Sequence, residues 1–268
     1  MRKLDEAQRF ANIMRNLITS AAGLASASPG DMVVKDEEGI RYLKFGTPWV
    51  QGAVRLDNPD ALEVEYIQQM MVWTLFKLNP KKIVQLGLGS ASLTRFCNLH
   101  FPDAQVEAVE INPKVIEVCH ESFFLPTDNP NINIVNADAM DYVTDPVNKG
   151  SVDVLQVDLY DEHARRPALG SQRFYDGCAN ILSDDGIMTV NIFCDYPEHN
   201  DYIGRIGSAF EGVAWLPEVH DSNIVAIGFK KNPNIYFDDL YAKADKLSEK
   251  LGLPARSWVD GLYKWMSK

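Results

Sequence analysis

Apolar and polar positions along this chain change rhythm twice. Between residues 4 and 27, Leu4, Phe10, Ile13, Met14, Leu17 and Ile18 recur at helical spacing before the pattern fades into SAAGLASASPG. That spacing predicts a surface helix whose single apolar stripe serves packing or a subunit contact. Residues 32–46, MVVKDEEGIRYLKFG, then set two short β-type runs around an acidic, glycine-containing turn, the signature of a hairpin. A third run, Trp49 to Leu56, follows. Asn58-Pro59-Asp60 has the form of a helix start, with Leu62, Tyr66, Met70, Trp73 and Phe76 marking one face of the expected helix.

From Lys81 the rhythm alternates between short apolar runs and helical spacing. Strands are expected at Ile83–Leu86, Val106–Glu110, Ile132–Asn136, Val152–Val157 and Gly186–Ile192. Helices are expected at Ser92–Leu99, Pro113–Ser122, Ser171–Leu182 and Asp201–Phe210. Val213–Val219 and Ile224–Lys230 end the series with almost no room for a helix between them. Such a βα series calls for a mostly parallel sheet with helices on both faces. The expectation is an α/β fold: a Rossmann-like, methyltransferase-type sheet of seven strands with an antiparallel edge hairpin, joined to a small N-terminal helix and β-hairpin unit. It divides the chain into a unit at 1–57, a nucleoside-binding α/β domain at 58–235 and a helical extension at 236–268.

Composition narrows the function classes. A chain of 268 residues with 46% hydrophobic and 24% charged residues can bury a sizeable core. The net charge of −11 argues against a general nucleic-acid binder and suits a cationic substrate. Cys97, Cys119, Cys178 and Cys194 form no CxxC pair and sit in apolar patterns, so buried reduced thiols and a cytoplasmic setting are expected. No apolar run approaches the roughly 18 residues of a membrane span, and the acids of MRKLDEAQRF come too early for a signal peptide. The five histidines have no metal-ligand spacing, so no metal is expected.

The candidate chemistry lies at successive strand ends. The first strand of the series runs into Gly87-Leu88-Gly89-Ser90-Ala91-Ser92 and then a helix, where glycines allow a sharp turn and close approach of a ligand to the backbone. The second strand ends in Glu110, a carboxylate placed to accept from ribose hydroxyls. The third is followed by Asn136-Ala137-Asp138-Ala139. There Asp138 can accept from an adenine amine and the Ala139 amide can donate to a ring nitrogen, although Asp138 also suits a helix cap. The fourth delivers Asp158 and Asp161. Asp158 would take a proton from an attacking amine and Asp161 would grip a distal ammonium; a solvated, capped loop is the plain alternative.

Taken in order, these residues resemble the spermidine synthases, the polyamine aminopropyltransferases, and especially their divergent bacterial branch. The resemblance runs over roughly residues 38–230: Gly39–Phe45, Val50-Gln51, Glu65-Tyr66, Gly87–Arg95, Val109–Pro113, Asn136–Ala139, Asp158–Asp161, Phe174-Tyr175 and Gly186-Ile187. It implies decarboxylated S-adenosylmethionine as co-substrate, a polyamine or other small amine as acceptor, and a homodimer or homotetramer. It implies Gln51, Gly87, Gly89, Ser90, Glu110, Ile111, Asp138 and Ala139 around the nucleoside, Asp158 as catalytic residue, and Tyr66 and Asp161 at the acceptor. Three departures stand out. Ser90 occupies the place of the loop Asp that holds the cofactor's ammonium in the family. Leu159-Tyr160 replaces a pair of serines. Ile67-Gln68 replaces a His-Glu pair. Two other readings therefore stay open: a methyltransferase using intact S-adenosylmethionine, and a nucleoside-binding homologue without activity.

Overall fold

The computed structural model describes residues 31–47, 50–160, 170–193, 199–217 and 223–266. The helix expected over 4–27, Asp161 and Cys194 lie outside them. The N-terminal β unit has the expected strands, β1 (Val33–Glu37), β2 (Ile40–Lys44) and β3 (Val50–Arg55), paired antiparallel in the order β1-β2-β3.

The main sheet has seven strands: β4 (Lys82–Leu86), β5 (Gln105–Glu110), β6 (Ile132–Asn136), β7 (Val152–Val157), β8 (Leu182–Phe193), β9 (Gly212–Trp215) and β10 (Asn223–Phe229), in the order β6-β5-β4-β7-β8-β10-β9. The pairs from β6 to β8 are parallel, while β10 is antiparallel to both β8 and β9. The closing hairpin is therefore present, but the antiparallel strand is not the edge strand as expected. β10 slips between β8 and β9, because the short β9–β10 connection forces reversal and β10 buries the apolar run Ile224–Phe229 there.

Strand alternation divides the core in two. Ile83, Val106, Val154, Ile187 and Ile227 face one cluster, and Val84, Leu86, Val109, Leu155, Val157 and Val190 face the other. Helices α4 (Ala139–Thr144), α5 (Gln172–Ile181) and α6 (His199–Ala209) cover the second face. On the first face, α2 (Ser92–His100) meets the C-terminal pair α7 (Phe237–Leu251) and α8 (Ala255–Met266), whose Leu240, Leu247, Trp258 and Leu262 enter the same core as the sheet. Helix α3 (Pro113–Ser122) packs through Val115 and Cys119 beside the β4–α2 turn.

The helix expected from Asn58 is corrected. Only α1 (Glu65–Gln69) forms, followed by a 3-10 turn over Val72–Leu75. Two captures explain this. Arg55 holds Glu63 through both carboxylate oxygens, and Arg95 takes the Pro59 carbonyl, so residues 57–64 turn instead of coiling. At the other end, the Met70 carbonyl accepts from Gln156 and Thr189 side chains (3.2 and 3.1 Å), and the Thr74 amide bonds the Met71 carbonyl in the tighter 3-10 pattern.

Candidate active site

The site grows from the turn after β4. Gly87 sits at φ +92°, and a Cβ there would lie 2.1 Å from the Asp158 carbonyl oxygen. The Asp158 amide donates to the Leu86 carbonyl at 2.9 Å. Only glycine lets the turn lie flat against the tip of β7. Glu110, at the tip of β5, leans into this turn: Oε2 accepts from the Leu88 amide (3.1 Å) and Oε1 from the Asn112 amide (2.9 Å). Burial pushes the Glu110 carboxyl above its ordinary value, and these amides pull against that rise. Each oxygen is thus fixed in direction and keeps accepting capacity.

The third strand end is laced to the second. Asn136 Nδ2 donates to the Glu110 and Ile111 carbonyls at 2.8 and 3.0 Å. Asp138 is exposed and caps α4, with Oδ1 accepting from the Met140 amide at 2.6 Å; Ala139 opens that helix. The capping alternative is therefore realised in the bond made by one oxygen. Ile111, 65% exposed, leaves an apolar side chain at the same sheet edge.

The N-terminal β unit forms the other side of the turn. A Cβ on Gly52 would lie 2.4 Å from Ser90 Oγ, and one on Gly89 would lie 3.0 Å from the Gln51 carbonyl. Gln51 thus stands beside the turn. Ser90 lies on the inner side of the turn. It is 3% exposed, and its hydroxyl meets Ser92 Oγ at 3.0 Å against the Gly52 backbone. Its side chain is packed inside the loop. Beneath it lies Arg95, buried and donating to the carbonyls of Ser90, Phe123 and Pro59.

Asp158 occupies the centre. It is partly exposed, and burial raises its carboxyl from 3.8 to about 6, offset by two donors. Asn191 Nδ2, from β8, bonds Oδ1 at 2.9 Å, and the Tyr66 hydroxyl, from α1, bonds Oδ2 at 3.2 Å. Burial and the neighbouring carboxylate push the Tyr66 phenol far up, so it stays a donor. Tyr160 is pinned nearby: its hydroxyl donates to the Asn191 carbonyl (2.9 Å) and accepts from the Phe193 amide (2.6 Å). One step below, Gln85, Gln156 and Thr189 are aligned across β4, β7 and β8. Thr94 bonds Gln85, Gln85 bonds Gln156, and Gln156 and Thr189 both hold the Met70 carbonyl.

The structure therefore brings Gly87, Gly89, Glu110, Gln51, Tyr66 and Asp158 together, sets Asp138, Ala139 and Ile111 at the adjoining strand end, and turns Ser90 inward. Sequence reading missed Asn191 and the row beneath it. Their signal was two polar residues at period two, Thr189 and Asn191, inside an apolar strand. Among the described residues no group of three or more His, Cys, Asp and Glu side chains could hold a metal ion. Among them, too, no helix is long and apolar enough to cross a membrane.

Comparison with known proteins agrees with this geometry. The spermine/spermidine synthase domain matches residues 63–214. A polyamine aminopropyltransferase of Neisseria meningitidis is 35% identical over 232 residues, covering 85% of this chain and 88% of that protein. Among solved structures, a probable spermidine synthase from Corynebacterium glutamicum superposes with a TM-score of 0.68 at 19% identity, over 88% of this chain and 90% of that one. Human methyltransferase-like protein 13, solved with SAH, superposes with a TM-score of 0.64 at 22% identity, over 71% of this chain and 94% of that one. The two structures share the fold; the sequence matches go further, and the chain belongs to the spermine/spermidine synthase family.

Proposed function

We propose that this protein transfers an aminopropyl group from decarboxylated S-adenosylmethionine to a small amine of the polyamine class, with Asp158 as the base. The observation that carries the proposal is the Asp158 carboxylate, half-buried against the glycine turn and held at both oxygens. In this reading Glu110 accepts from the ribose hydroxyls, Asp138 and the Ala139 amide meet the base, and Ile111 supplies an apolar surface for it. Gln51 and the Gly87–Gly89 backbone border the sugar and the tail. Tyr66, with Asp161, lines the acceptor site. A reducing, cytoplasmic setting and a homodimer or homotetramer belong to the same reading; the buried free thiols Cys97, Cys119 and Cys178 are compatible with that setting.

Elementary chemistry assigns the roles. The donor carries a sulfonium whose carbon accepts the amine nitrogen as the C–S bond breaks and methylthioadenosine leaves with a neutral sulfur. The attacking amine must shed a proton. A carboxyl near 6 is ionised at neutral pH and more basic than an ordinary aspartate, so Asp158 can receive that proton. Tyr66 and Asn191 hold it in place while it does so.

The buried Ser90 favours a second reading, methyl transfer from intact S-adenosylmethionine. The loop offers no acid to grip an ammonium or repel a carboxylate. Thermal unfolding with each donor decides between them. A ligand at a hundred times its Kd adds about 2.7 kcal/mol, which raises the midpoint by about 5–10 °C for a chain of this size. Aminopropyl transfer predicts the larger shift with the decarboxylated donor, and formation of methylthioadenosine when putrescine is added. A larger shift with intact S-adenosylmethionine and no methylthioadenosine overturns it.

A further inference from the structure

Asn191 is 2% exposed, yet its buried Oδ1 has no hydrogen-bond partner among the described residues. An unpaired buried acceptor destabilises a fold. An apolar residue of the same size would avoid that cost, so folding alone does not explain an asparagine here. What the side chain supplies is its other half: Nδ2 donates to Asp158 Oδ1 at 2.9 Å.

That bond closes a ring. From Asn191 the path runs two residues back along β8 to Thr189, whose hydroxyl donates to the Met70 carbonyl at 3.1 Å. The Met70 amide donates to the Tyr66 carbonyl at 2.8 Å, and the Tyr66 hydroxyl donates to Asp158 Oδ2 at 3.2 Å. Gln156, two residues before Asp158 on β7, ties the same Met70 carbonyl at 3.2 Å. The two donors to Asp158 thus come from different elements, β8 and α1, fastened to each other one layer below. The hydroxyl of Tyr160 additionally holds the Asn191 carbonyl, which fixes this end of β8.

We propose that Asn191 is a positioning residue for the transfer, whose amide, anchored through Thr189 and Met70 to the helix bearing Tyr66, holds the Asp158 carboxylate in line for the amine. This rests on Asp158 being the base. A donor to the carboxylate also favours its charged form, so removing the donor moves the titration of Asp158 to higher pH. Among the described residues, the titratable group bonded to Asp158 is Tyr66 from α1, with Tyr160 beyond it. Asn191 from β8 is uncharged, and the β4 turn brings only backbone.

The test uses Asn191→Leu and Asn191→Asp in the full chain. Four quantities are measured: pH–rate profiles with decarboxylated S-adenosylmethionine and putrescine, thermal midpoints, methylthioadenosine binding by calorimetry, and the infrared carboxyl titration obtained as a difference against Asp158→Asn. Asn191→Leu should lower kcat about tenfold or more with the donor KM little changed. It should move the acidic limb and the infrared titration up by about one pH unit, and leave the midpoint equal or higher. Asn191→Asp, which adds a like charge, should move both further. Unchanged limb and titration in both variants overturn the proposal. So does a lowered midpoint with loss of methylthioadenosine binding in Asn191→Leu, which would make the residue structural. If Asp158→Asn keeps full turnover, it is the base assignment that fails.

Discussion

Replacing Asp158 by Asn should end turnover and at the same time make the protein more stable at neutral and alkaline pH. Burial raises the carboxyl from 3.8 to about 6 in the folded chain, so the fold disfavours the charged form that the proposed base must adopt. At 1.36 kcal/mol per pH unit this amounts to about 3 kcal/mol. Partial exposure lets water screen the charge, which brings the figure to about 1–2 kcal/mol. Asn fits the same bonds: its Oδ1 accepts from Asn191 and its amide donates to the Tyr66 oxygen. An acid whose folded value lies above its unfolded one loses stability as pH rises through the folded value. The gain of Asp158→Asn is therefore full above about pH 6, shrinks between about 6 and 4, and vanishes below. Urea unfolding at pH 8 and pH 4 measures it, beside methylthioadenosine binding, which should persist. No gain at pH 8, or a gain as large at pH 4, would refute the reasoning.

Two further substitutions probe the nucleoside side. Gly87→Ala forces a side chain to φ +92° and into the Asp158 carbonyl. It should cost about 3 kcal/mol or more in urea unfolding and at least tenfold in kcat, since the turn and Asp158 must separate. Glu110→Gln keeps the shape but sets an amide donor against the Leu88 or Asn112 amide. Calorimetry should show methylthioadenosine binding weakened about tenfold or more, with a small change in thermal midpoint.

The linear order of residues determines a good deal of this protein. Short apolar runs and period-3.6 patterns mark the seven strands of the sheet and most of its helices, because the inner strands bury both faces and each helix one. The glycine turn and Glu110 are legible because both sit at fixed offsets from strand ends, and in a parallel sheet those ends share one edge. Asp158 is legible for the same reason. The exceptions have non-local causes. The helix expected from Asn58 is cut short by partners far along the chain: Arg95 at Pro59, and Gln156 and Thr189 at Met70. The antiparallel strand takes an inner place because its pairing with β8 lies outside any local pattern. The burial of Ser90 depends on Gly52, which belongs to another sheet. Asn191 and Tyr66 lie 33 and 92 residues from the carboxylate they hold. Local periodicity reports which face a residue occupies; the identity of a hydrogen-bond partner across that face exists only once the elements have packed. Thus the chain's own order settles where the acids emerge, and tertiary packing alone decides which of them is buried against the glycine turn and held at both oxygens.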